Sequence, residues 1–264
     1  PQVNQIVFTG SVATGVSIAT AAAQNVVPCV LELGGKSAAI VHDDADLEAF
    51  ENDLRWGIFF NAGQVCSAMS RVIVHDSIHD ELVDRMVGVA NSLSLKPGID
   101  QAAFGPTMGA MVSEAQRDRA VGMICAAQEE GAGIAAGGHK ANIPGAFLEP
   151  TVLTDVLPEM SIAQEEVFGP VVSVLKFSTD GEAIQIANGT PFGLVGGVFT
   201  RDLDRATSAA RQLRAGQVFV NEWYAGGVET PFGGFGKSGY GREKGREALW
   251  NYVQTKNIAI KLQG

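Results

Sequence analysis

The sequence predicts an α/β fold: a mainly parallel, twisted sheet with helices on both faces. Two observations predict it. Short apolar, β-branched runs alternate with stretches whose apolar residues recur at helical spacing, and glycine, proline and Asn/Asp turns punctuate the alternation. No internal repeat and no low-complexity linker interrupts the pattern over the 264 residues. Strands joined through helices imply right-handed crossovers, and so a sheet whose two faces are both covered.

The elements follow in order. Residues 4–9 (Asn-Gln-Ile-Val-Phe-Thr) read as a strand, followed by a glycine turn and an alanine-rich helix near 15–24. A short apolar run at 37–41 is again strand-like. Residues 46–60 carry Leu47, Phe50, Leu54 and Ile58 at helical spacing, with Asp46 and Glu48 as a start signal and Asn61-Ala62-Gly63 as a stop. A strand at 71–75 precedes a helix whose buried stripe is Ile78, Leu82, Met86, Val89 and Leu93. A looser helix covers about 111–130, and Gly131 to Gly137 reads as a turn with a small-residue strand. Strands at 171–177, 195–200 and 217–221 alternate with helices near 181–188 and 203–213. The last stretch, 249–262, turns strand-like again. A terminal strand needs a sheet edge, which in an oligomer can belong to another subunit.

Composition narrows the function classes. A hydrophobic content of 46% with 18% charged residues is that of an ordinary globular protein. A net charge of −10 argues against a nucleic-acid partner, which would need a basic face. No apolar run approaches the roughly 20 residues of a spanning helix, and none has the layout of a signal peptide. No membrane partner is expected. The three cysteines, Cys29, Cys66 and Cys125, are widely spaced and odd in number, as in a reducing compartment; cytoplasmic localisation is the expectation. His42, His75, His79 and His139 are scattered, so no metal site is expected.

Five segments carry chemistry. In Phe8-Thr9-Gly10-Ser11-Val12-Ala13-Thr14-Gly15, a strand meets a glycine turn and a helix start, where free N–H groups favour an anion. Many β-α turns look alike. Leu31-Glu32-Leu33-Gly34-Gly35-Lys36 sets a carboxylate among apolar residues and glycines. Burial there would raise the Glu32 pKa towards that of a general base, whereas a solvated strand end would leave it ordinary. Phe60-Asn61-Ala62-Gly63-Gln64-Val65-Cys66-Ser67 puts a thiol on a tight polar turn near backbone donors. A catalytic thiol there would carry a lowered pKa and alkylate faster than a buried one, and Cys29 and Cys125 are taken as small buried hydrophobes. Gln164-Glu165-Glu166-Val167-Phe168-Gly169-Pro170 ends on a sharp turn. The glycine-rich run 231–243 reads as a mobile lid, a phosphate cradle or a close-packed loop.

Together these segments, 8–15, 31–37, 61–67, 165–170 and 231–243, resemble the aldehyde dehydrogenase superfamily in kind and order. The resemblance covers essentially the whole chain but only about the second half of a usual member. It implies NAD(P)⁺-dependent oxidation of an aldehyde to its acid. Cys66 is the implied nucleophile, forming a thiohemiacetal and then a thioester, and Glu32 the base that activates water to hydrolyse it. Gly10, Ser11 and Gly15 match the turn beneath the cofactor phosphates, and Leu33 and Gly34 the backbone beside the nicotinamide. Glu166 matches the acid that holds the nicotinamide ribose, with Phe168 beside it. Glu243 matches a glutamate proposed in some members to relay protons. Relatives that acylate CoA generally lack the glutamate found here at Glu32, so the hydrolytic, acid-forming type is implied.

The family's asparagine oxyanion donor, and the lysine and acid that grip the adenosine ribose, lie in its first half, which this sequence does not contain. Losing one oxyanion donor typically costs about 10²–10³ in rate. The isolated chain is therefore expected to turn over poorly. Residues 1–35 read as the tail of a Rossmann-type cofactor domain, 36–248 as the catalytic domain and 249–264 as an oligomerisation strand. The full-length protein is expected as a dimer or tetramer, with NAD as cofactor on family frequency and NADP open. Trp56, Phe60 and the 221–229 segment, with Trp223 and Tyr224, are expected to line the aldehyde pocket. Two other readings stand beside this one: a cofactor-independent thiol esterase using the same Cys66 and Glu32, and a non-catalytic fragment that keeps the fold.

Overall fold

The computed structural model describes residues 3–98 and 106–262. The outer ends of the predicted 1–35 and 249–264 segments lie outside the described residues. Two sheets organise the chain. The smaller holds β1 (Ile6–Thr9) and β2 (Cys29–Glu32) in parallel, joined through α1 (Val12–Ala23). Ser11 caps α1, its hydroxyl accepting the Thr14 N–H at 3.3 Å, so the helix begins three residues before the predicted start.

The larger sheet has seven strands. In chain order they are β3 (Ala38–Val41), β4 (Arg71–His75), β7 (Gly133–Ala136), β8 (Thr151–Thr154), β9 (Val171–Phe177), β10 (Val195–Phe199) and β11 (Gln217–Val220). Their spatial order is β11-β10-β3-β4-β9-β8-β7, all parallel except the edge strand β7. Two-residue strands β5 (Ser94–Leu95) and β6 (Thr107–Met108) pair separately. The central strands β3, β4 and β10 are buried almost throughout and mostly apolar, because both faces are covered.

Helices α2 (Leu47–Leu54), α3 (His79–Ser92), α4 (Glu114–Glu129), α5 (Ser161–Gln164), α6 (Asp180–Asn188) and α7 (Leu203–Gln212) make the connections. The chain leaves β3 for β4 in one direction along the sheet and β9 for β10 in the other. Right-handed crossovers therefore put α2 on one face and α6 on the opposite one.

The sequence reading has no element at β5, β6, β8 or α5, and three further features depart from it. The predicted 46–60 helix is α-helical only to Leu54, then takes a π-helical turn over Arg55–Phe59 and a 3-10 turn over Phe60–Gly63. Residues 249–252 belong to a 3-10 turn (Glu247–Tyr252), and 253–262 pair with no strand among the described residues, leaving Val253, Ile258, Ile260 and Leu262 exposed. Finally, β12 (Gly239–Tyr240), within the glycine-rich run, returns to pair antiparallel with β2, opposite Leu31 and Glu32. The far end of the chain thus closes over the small sheet.

This topology fixes where a site can be. Thr9-Gly10-Ser11 and Glu32-Leu33 leave the C-terminal ends of β1 and β2, where open α/β sheets bind ligands. Gly35, Cys66, Glu166 and Phe192 lie just before β3, β4, β9 and β10. Segments at the N-terminal edges of the large sheet therefore face segments at the C-terminal edges of the small one.

Candidate active site

A cleft of about 1020 Å³ lies between these edges. It is lined by Gly10, Ser11, Glu32, Leu33, Gly34, Cys66, Glu166 and Phe168, which are all the predicted site residues but Gly15. Gly15 is buried beneath, where a Cβ would come 2.5 Å from Leu33 Cδ2, so its hydrogen lets α1 settle on Leu33. Gln116, Arg119, Gln164, Phe192 and Lys237 also border the cleft and were not predicted. Gln116 and Arg119 lie on α4, whose sequence reads as a solvated helix with no chemical signal.

Cys66 is presented by a strained turn. Asn61 and Ala62 both have φ +52 and Gly63 has φ +69, three consecutive left-handed residues. At Gly63 a side chain is excluded, since a Cβ would lie 2.0 Å from the Gly169 carbonyl oxygen. The turn is stapled by its own amides: Asn61 Nδ2 donates to the Gln64 carbonyl and Gln64 Nε2 to the Asn61 carbonyl, both at 3.0 Å. Gln64 Oε1 accepts the Val112 N–H at 2.8 Å. Behind Cys66, Met69 N–H donates to the Gly57 carbonyl of the π turn at 2.8 Å. Non-glycine residues at positive φ concentrate at functional sites.

The thiol is half-buried, and its pKa is raised rather than lowered. Burial is the main cause, followed by the negative charges of Glu166 and Glu32; the N–H groups of Ser67 and Cys66 itself pull the other way. Burial first, and then two carboxylates facing the thiol, explain the departure from the expected lowered value. Cys29 is half-buried and Cys125 exposed, so neither is the buried hydrophobe expected.

Glu32 closes β2. Its backbone accepts the Gly10 N–H at 3.0 Å, tying the two ligand-facing turns together. Its side chain is 2% exposed, and neither carboxylate oxygen has a hydrogen-bond partner among the described residues. Burial raises its pKa to about 7, Glu243 adds to the rise and Arg242 opposes it. The glycine-rich run makes this burial possible. At Gly233 (φ +149) a Cβ would come 2.8 Å from Glu32 Oε1, and at Gly239 1.9 Å from the Leu31 carbonyl oxygen. Arg242 Nη1 donates to the carbonyls of Gly241 (2.6 Å) and Gly234 (3.2 Å). The loop packs closely around Glu32, while its Lys237 borders the cleft.

Glu166 Oε1 accepts the Gly35 N–H at 3.1 Å, and a Cβ on Gly34 would lie 2.1 Å from Oε2. Its loop is held by α4: Arg119 donates to the carbonyls of Glu166 and Val167, Gln116 to those of Val167 and Phe168. Phe168 sits at φ +55. Burial raises the Glu166 pKa, while the Gly35 N–H and Lys36 lower it. Lys36 is fully buried with no partner for Nζ among the described residues, and burial with the Arg71 charge lowers its pKa to about 7. Trp56 and Phe60 stack with ring centroids 6.1 Å apart but are exposed and do not line the cleft.

The arrangement brings a thiol and a carboxyl of near-neutral pKa to one largely apolar cleft under a capped helix N-terminus. Residues 1–258 match the family described as the aldehyde dehydrogenase family. A peroxisomal aminoaldehyde dehydrogenase of Pisum sativum is 44% identical over 98% of this chain and 51% of its own length. A chloroplastic betaine aldehyde dehydrogenase of Atriplex hortensis is 41% identical over the same shares. The aldehyde dehydrogenase of Bacillus cereus, solved in complex with NAD⁺, superposes with a TM-score of 0.94 at 41% identity, over 98% of this chain and 52% of that one. A betaine aldehyde dehydrogenase of Staphylococcus aureus with NAD⁺ gives 0.93 at 40% identity, over 97% and 51%. The chain spans about half the length of the curated relatives it matches.

Proposed function

This chain belongs to the aldehyde dehydrogenase family, and on that premise we propose that the protein carrying it oxidises an aldehyde to a carboxylic acid. The carrying observation is the pairing, across one cleft, of Cys66 with a buried, near-neutral Glu32. The Cys66 thiol gives up its proton to water in the cleft as Sγ bonds to the aldehyde carbon and the C=O π pair moves onto oxygen, forming a thiohemiacetal, and the Cys66 N–H is an available donor for its oxyanion. NAD⁺, when bound, supplies the acceptor for the hydride that leaves this carbon. Cys66 then holds the acyl group as a thioester. Glu32, half ionised near pH 7, takes a proton from water as that water attacks the thioester, releasing the acid.

The cleft residues fit a dinucleotide. The first-turn amides of α1 above Gly10 and Ser11 suit phosphates. Gly34 leaves room that a Cβ would deny, with the Glu166 carboxylate directly above it, where a ribose hydroxyl would find an acceptor. The names of the plant relatives favour an aminoaldehyde or betaine aldehyde as substrate. We read 1–35, 36–248 and 249–264 as cofactor-domain tail, catalytic domain and oligomer-forming segment, the last on its exposed apolar residues. Cysteines without disulfide partners suit a reducing compartment such as the cytoplasm.

Cys66→Ala in the intact protein tests the reading: NADH formation should fall by at least about 10³-fold, as for loss of a covalent nucleophile. Activity within tenfold of wild type would sink it. This chain by itself carries both Cys66 and Glu32, which also favours ester hydrolysis without NAD⁺. A p-nitrophenyl ester assay with and without NAD⁺ separates that activity from aldehyde oxidation.

A further inference from the structure

Tyr224 holds a left-handed backbone, φ +66, although it carries a bulky side chain. Such a conformation persists only where the surroundings impose it, and here they do. The preceding Trp223 is buried. Its N–H donates to Asp53 Oδ1 at 3.1 Å and its indole Nε1 to the Ser67 carbonyl at 3.2 Å. Gly197 of β10 makes room for the indole, since a Cβ there would lie 2.6 Å from Trp223 Cζ3. The Tyr224 hydroxyl lies 3.4 Å from the Gly57 carbonyl, the π-turn oxygen that also receives the Met69 N–H. The phenol thus reaches the π turn that anchors the segment after Cys66, without lining the cleft.

We infer that Tyr224, backed by Trp223, is a positioning residue for Cys66, clamping Ser67 and the π turn so that the Ser67 N–H stays aimed at the sulfur. The inference rests on the reading of Cys66 as nucleophile. It explains why the fold tolerates strain at 224: a thiol opposed by Glu166 and Glu32 needs its few donors held still. Burial, and the charge of a Cys66 thiolate, push the phenol up to about 12 although Ser67 pulls it down, so it stays an O–H donor across the working pH range.

The test is the rate of iodoacetamide alkylation of Cys66 against pH, read by mass spectrometry of its peptide. Tyr224→Phe removes only the hydroxyl. It should slow alkylation at pH 7.5 by about two- to tenfold, the worth of one hydrogen bond, and move the profile's midpoint upward. Melting temperature should change little, and kcat should fall with KM for NAD⁺ unchanged. A Tyr224→Phe profile that overlays wild type overturns the clamp. So does Tyr224→Gly, which accepts φ +66 without strain, if its profile stays wild type. If Tyr224→Phe is silent while Cys66→Ala abolishes turnover, only the clamp falls. If Cys66→Ala leaves turnover intact, the reading of the nucleophile falls instead, and the role given to Tyr224 falls with it.

Discussion

Replacing Glu32 by Gln keeps the size of the side chain and leaves it neutral at every pH. The wild-type carboxyl sits at about 7 against an ordinary 4.5, first through burial and then through Glu243. Below about pH 4.5 folded and unfolded chains both hold the proton, and Glu32 imposes no penalty. Between 4.5 and about 7 the unfolded chain ionises while the folded one does not, so stability falls as pH rises. Above 7 the penalty is complete. At about 1.4 kcal/mol per tenfold, the ceiling is roughly 3 kcal/mol. The carboxylate borders an open cleft, and solvent screening cuts that by roughly half. Glu32→Gln should therefore melt with wild type near pH 4.5 and about 3–6 °C above it at pH 8. The same substitution removes the proposed base for thioester hydrolysis and should lower steady-state turnover about 10²–10⁴-fold. Calorimetric melts from pH 4.5 to 8 and NADH progress curves read the two effects. A variant that melts at or below wild type at pH 8, or turns over within tenfold of it, would refute the reasoning.

Two further substitutions probe the cleft and the buried cation beside it. Gly34→Ala puts a methyl 2.1 Å from Glu166 Oε2, which must move; KM for NAD⁺ should rise at least about tenfold with little change in melting temperature, and an unchanged KM would show that Glu166 does not meet the cofactor. Lys36 gives up its proton near pH 7 when folded but near 10.5 when unfolded, so stability climbs with pH across that window and its penalty is greatest below 7. Lys36→Met should accordingly raise the melting temperature at pH 6 and lose most of that gain by pH 10; a lower melting temperature at pH 6 would contradict this account of the charge.

Much of the fold is legible because burial writes itself into the sequence. Strands such as Arg71–His75 and Val171–Phe177 are mostly apolar, β-branched runs, as central parallel strands tend to be. The cleft residues are legible for a different reason: Gly10, Gly34 and Cys66 each sit at a strand-edge turn, and glycine there signals close approach. The π turn at Arg55–Phe59 is not legible, since one extra residue inside a helix barely disturbs its apolar spacing. Pairing of Gly239–Tyr240 with β2 joins residues some 200 positions apart and leaves no local pattern. The raised thiol of Cys66 depends on burial, and then on two carboxylates, brought about only in three dimensions. For the same reason Gln116 and Arg119, helix residues with an ordinary solvated look, gave no sign that they hold the Glu166 loop.

Rapid-quench mass spectrometry of the intact protein, mixed with aldehyde and NAD⁺, tests the assignment of Cys66 most directly. An acyl group should accumulate on the Cys66 peptide only when NAD⁺ is present, and should persist far longer in the Glu32→Gln variant. Turnover with no adduct on Cys66 in either protein, or with the adduct on another residue, would contradict the account.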